Sequence, residues 1–158
     1  MFKLFIKGLL ALLLMAVVVS CGQLGNQEDL IEQSIPITVP MISGNSPLGW
    51  INTTVTAPIS FDQIYSVKLA IIDGQGIKHI VAEAFNQPLI QSGVTLDLMD
   101  IGNPTLPLCR IQFAQNPQLY VTVDVRGSQT VGQYYQTSPN VQAMQVYLIF
   151  VQKNTSVK

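Results

Sequence analysis

Gln118-Leu119-Tyr120-Val121-Thr122-Val123-Asp124-Val125-Arg126 alternates without a break. Leu119, Val121, Val123 and Val125 project to one side of an extended chain, and Tyr120, Thr122, Asp124 and Arg126 to the other. A spacing of two is the period of a strand, whereas a helix would need apolar residues three and four apart. The segment therefore reads as a strand with one buried face. Downstream, Val141–Val151 is apolar on both faces around Val146-Tyr147-Leu148-Ile149-Phe150-Val151, which suits a central strand covered on both sides.

Upstream, Gln63–Ile72 and Ile77–Ala84 flank Asp73-Gly74-Gln75-Gly76. Two β-type runs joined by turn residues, with glycines free to take positive φ, predict a hairpin. Ile37–Ile42, Trp50–Thr56, Val94–Leu98 and Leu106–Phe113 complete the set of predicted strands. Most prolines, from Pro36 to Pro139, fall between or at the ends of these runs, where a missing amide does little harm. Seven or eight short strands with regular turns predict an all-β domain: a β-sandwich, immunoglobulin- or transthyretin-like, with a small β-barrel as second choice. It is expected as one domain over residues 35–158.

Residues 1–20 carry Lys3 and Lys7, an apolar run from Gly8 to Val19, and the small residue Ser20. These are the parts of a secretory signal. The run is about a dozen residues, short of the roughly 20 that an uncleaved spanning helix needs. At its end, Val18-Val19-Ser20-Cys21 resembles the lipobox of bacterial lipoprotein precursors. That resemblance implies cleavage before Cys21, a diacylglycerol on its thiol and often an acyl chain on the new amine. With Gly22 rather than an acidic residue next, it further implies an outer-membrane destination facing the periplasm, or the cell surface. Two or more acyl chains hold a protein at a leaflet stably, whereas one does so only marginally. Residues 21–34 then read as a lipidated, solvated tether, with a short helical turn at Leu30 and Ile31.

Charged residues make up 11% of the chain, against about 25% in ordinary soluble domains. From Cys21 onward six basic residues face nine acidic ones, a net charge of −3, and no basic cluster is present. A nucleic-acid partner requires a phosphate-neutralising patch, so that class is excluded.

Chemistry-bearing residues are sparse. His79 is the single histidine, and one histidine lacks the nucleophile, orienting acid and oxyanion site of a hydrolase. Cys109 shares a face with Ile111 and Phe113, opposite Arg110 and Gln112, and reads as a small packed hydrophobe. Asp97, Asp100 and Asn103 offer oxygens but not the spacing of a calcium loop; a strand end and turn account for them. No catalytic residue, metal site or cofactor is expected. Gly127–Asn140 is different: polar, uncharged and turn-rich, it holds Tyr134 and Tyr135, and rigid aromatics in polar loops offer contact area at low entropic cost. These two tyrosines are the candidate partner-binding residues.

The expected protein is therefore a non-enzymatic, membrane-anchored envelope lipoprotein that binds a protein partner, as a component of a secretion or other trans-envelope assembly. In size, anchor and expected fold it resembles the small transthyretin-like lipoproteins of type VI secretion systems, a resemblance of plan without a diagnostic motif. The alternative is a lipoprotein that binds a small ligand or inhibits a hydrolase.

Overall fold

The computed structural model describes residues 30–40, 49–84, 87–134 and 143–153. Among these residues eight strands appear: β1 (Leu30–Pro40), β2 (Trp50–Thr56), β3 (Ile64–Ile72), β4 (Lys78–Glu83), β5 (Thr95–Asp100), β6 (Asn103–Phe113), β7 (Gln118–Asp124) and β8 (Ala143–Lys153). A 3-10 turn, Phe61–Gln63, precedes β3, and one short helix, α1 (Gln129–Tyr134), follows β7. All ladders between the strands are antiparallel. They form a single sheet in the order β1-β8-β3-β4-β5-β6-β7-β2. The sheet curls until its edges, β1 and β2, come into contact, so the all-β domain is a nearly closed barrel.

Closure follows from local irregularities. Leu98 pairs with Cys109 and Met99 with Pro107, which leaves Leu108 as an extra residue in β6. Leu69 pairs with Ala82 and Ala70 with Ile80, which leaves Val81 extra in β4. At each bulge two successive side chains turn inward: Leu108 with Cys109, and Val81 with Ala82, are all buried. Bulges bend a strand and increase its twist, the means by which a sheet curves on itself.

The barrel interior is filled by alternate residues. Leu119, Val121 and Val123 of β7 meet Val67, Leu69 and Ile71 of β3, Leu96 and Leu98 of β5, and Val146, Leu148 and Phe150 of β8 in one cluster. Each such side chain contributes about 1.5–3 kcal/mol on burial. Phe61 packs edge-on against Phe113 with ring centroids 5.0 Å apart. As its two apolar faces require, β8 lies between β1 and β3 and is buried on both sides. On its outer side Ile149 and Val151 join Ala70, flanked by Ile80 and Tyr147.

One expectation is corrected. Leu30–Ser34, read as tether with a helical turn, is strand: it pairs with Ile149–Lys153 of β8, and Lys78 Nζ donates to Glu32 Oε2 at 2.9 Å. Long-range pairing supplies the extended conformation that the local polar sequence does not. Pro36 is tolerated inside β1 because this is an edge strand.

Candidate functional site

The segment after β7 turns at Gly127, whose φ of 77° lies in the left-handed region, and enters α1. Ser128 accepts the Val131 amide at 3.1 Å and so caps the helix. Its hydroxyl in turn donates to Asp100 Oδ2 at 2.5 Å, while Thr130 Oγ1 donates to Asp100 Oδ1 at 2.5 Å. The Gly102 amide adds a third bond at 2.8 Å, and the Asn103 amide a fourth. Asp100 is only 1% exposed. Burial pushes its carboxyl pKa up, but these four donors outweigh that and hold it below the ordinary carboxylate range. The knot admits no side chain at Gly102, where a Cβ would sit 2.5 Å from Thr130 Oγ1.

Outside this knot lies a cleft of about 360 Å³ between the β5–β6 turn and α1. Gly102, Asn103 and Leu106 form one wall, Gln129, Thr130 and Gln133 the other. Gln129 and Gln133 are four residues apart and therefore share a helix face. Asp100 also lines the cleft, its carboxylate held by neutral hydrogen-bond donors, and Asn103, Gln129 and Gln133 add side-chain amides. Such a lining can hydrogen-bond a polar group.

The candidate tyrosines fall differently from one another. Tyr134, the last residue of α1, is half-buried and packs against the core. Its ring stacks on His79 with centroids 3.8 Å apart and planes 12° from parallel. Tyr135 lies outside the described residues, as do Cys21 and the lipobox. His79 Nε2 also meets Asp73 Oδ2 at 2.7 Å, and this bond with the backbone amides of Ile77 and Gln75 holds the Asp73 carboxyl below its usual range. Histidine, tyrosine and aspartate thus tie the β3–β4 turn to the end of α1.

The other oxygen-bearing candidates separate. Asp97 takes a two-pronged bond from Arg110, at 2.7 and 2.9 Å, and Asn103 Oδ1 accepts from the Thr105 amide and hydroxyl. Among the described residues no three His, Cys, Asp or Glu side chains gather as a metal site. Cys109 is 1% exposed, and burial pushes its thiol far up, with the Asp97 charge adding to the effect. A thiol so held is not a nucleophile at neutral pH.

No family model, curated protein or solved structure matches this chain. The functional reading therefore rests on the leader motif and on the cleft beside α1. Sequence reasoning singled out the segment that builds one wall of this cleft but missed Asp100, Ser128 and Thr130 as its anchor. The readable signal was Gly127-Ser128 three residues before an apolar position, a helix start.

Proposed function

We propose that the protein is a lipid-anchored component of the bacterial envelope, without catalytic activity, that binds a protein partner through the cleft between the β5–β6 turn and α1. Cys21 is the lipid attachment point in this reading, and the outer membrane or cell surface the location. A place in a secretion or other trans-envelope assembly fits these features. The observation that carries the binding role is the Asp100 knot: it fixes α1, so that Gln129 and Gln133 face Asn103 across a preformed cleft. Preorganised groups lose little entropy on binding. From Cys21 to Leu30 the chain reaches about 30 Å at full extension, which keeps the barrel close to the leaflet.

The cleft volume also falls within the roughly 300–1,000 Å³ of small-molecule sites, which favours as second reading the capture of a small uncharged polar ligand. Photo-crosslinking in intact cells separates the two. A photoreactive residue replacing Gln133 is expected to give a discrete protein adduct that the same residue at Gln115, on the β6–β7 turn, does not. Adduct formation from neither position, or equally from both, would overturn the partner-binding reading.

A further inference from the structure

A second surface, the outer face of β2 and β7, carries a different chemistry. Across the β2–β7 ladder Trp50 faces Asp124, Asn52 faces Thr122 and Thr54 faces Tyr120. On the far side of β7, Arg110 lies beside Thr122 and Gln112 beside Tyr120. Because the alternate residues of β7 fill the barrel, all of these point outward, and Trp50 and Tyr120 are 44% and 47% exposed. They are four residues apart in register, about 13 Å at the rise of a strand. Between them lies the hydrogen-bonded pair Thr122 and Asn52, with Oγ1 donating to Oδ1 at 2.7 Å. The strip is aromatic at each end and polar in the middle.

Its charges cancel within the face. Arg110 is held on Asp97. Arg126 donates to both Asp124 oxygens, at 2.9 and 2.6 Å, and its guanidinium carbon lies 5.7 Å from the Trp50 ring centroid. Arg126 thus stands over one face of the tryptophan ring, and the ion pair leaves no net charge for a charged ligand to meet. Among the described residues the side chains of Gln112, Thr54 and Tyr120 have no protein partner, so their amide and hydroxyls are available at the surface. A shallow depression of about 230 Å³, lined by Pro107, Arg110, Thr122 and Asp124, adjoins the strip.

The geometry points to a binding strip for an uncharged, extended glycan of β-linked pyranose units, with Trp50 and Tyr120 as its two platforms. A pyranose with equatorial substituents presents a flat face of weakly positive C–H groups and a rim of hydroxyls. The negative faces of aromatic rings receive the first, while Asn52, Thr54 and Gln112 exchange hydrogen bonds with the second. The separation of the platforms requires a chain of several sugars rather than a single ring. This proposal uses neither the cleft nor the lipid.

Trp50 is the single tryptophan of the chain, so its emission reports directly on the strip. The full-length protein in detergent, titrated with chitohexaose and cellohexaose, is expected to show a saturable change in Trp50 emission with at least one of them. The corresponding disaccharide should bind about tenfold more weakly, and Tyr120→Ala should weaken hexasaccharide binding about tenfold, or about 1.4 kcal/mol, with thermal unfolding unchanged. Gln112→Ala, at a second exposed position, tests the polar part in the same way. No saturable response to either hexasaccharide, an equal response to the coiled α-linked maltohexaose, or undiminished binding by folded Tyr120→Ala would overturn the proposal.

Discussion

Ser128 donates its hydroxyl to the carboxylate of Asp100, 28 positions away in sequence, and both side chains are almost wholly buried. The bond joins the end of β5 to the cap of α1, so removing the hydroxyl costs two interactions together. Hydrogen bonds to charged groups contribute about 1.5–3 kcal/mol, and a helix cap about 1 kcal/mol. Ser128→Ala is expected to lower stability by about 2–3 kcal/mol in urea unfolding. A loss below about 0.5 kcal/mol, the range of ordinary surface changes, would mean that Asp100 does not anchor the helix.

Gly102 tests the same knot by steric means. Its added Cβ would lie 2.5 Å from Thr130 Oγ1 and 3.4 Å from Asp100 Oδ1. Gly102→Ala should therefore destabilise by about 1–3 kcal/mol, as overpacking does. Thr130→Ala removes the clashing oxygen, so the double mutant should be more stable than the two single losses add up to. Simple additivity in that cycle would show that the two residues do not meet.

Stability should depend on acid in a defined direction. The carboxyls of Asp73, Asp97 and Asp124 are lowered chiefly by their bonds to His79, Arg110 and Arg126. Asp100 is lowered as well, its hydrogen bonds outweighing burial. A group whose folded pKa is depressed contributes stability in full above its unfolded value, about 3.9 for aspartate, and loses it as pH falls through the folded value. The urea midpoint should fall on acidification below about pH 4, and Asp97→Asn should flatten part of that fall. A midpoint that rises below that pH would contradict the assignment.

For Tyr134 the expected phenotype is structural. Its ring stacks on His79 and packs on the core, so Tyr134→Ala should destabilise by about 1–3 kcal/mol, less than the roughly 3–5 for a fully buried large aromatic. Tyr134→Phe keeps the ring and should be near neutral. Unchanged stability of Tyr134→Ala, measured by thermal unfolding, would return this residue to the set of exposed contact residues.

What the sequence made legible follows from the range of the forces. Leu119, Val121 and Val123 alternate because one face of β7 is buried, so a local period reported a local environment. Each expected strand has its counterpart in the sheet, but two strand starts were not readable: Leu30–Ser34 owes its conformation to β8, and Asn103–Thr105, read as turn, opens β6. Curling into a near-barrel was less legible, because it depends on extra residues such as Leu108 and Val81 that only the register identifies. Helix α1 has six residues, includes Gly132, and buries Thr130 and Val131 alone, too short a segment for a helical period to show. Asp100 was visible as a strand end, but nothing in the chain near it announces a partner 28 residues on.

The lipid anchor is tested most directly by the mass of the amino-terminal peptide, taken from the protein extracted from membranes of the organism that makes it. A chain that begins at Cys21, with a diacylglycerol thioether on its sulfur, is the expected result. A chain that begins elsewhere, or a Cys21 thiol that is free and carries no lipid, would contradict the account.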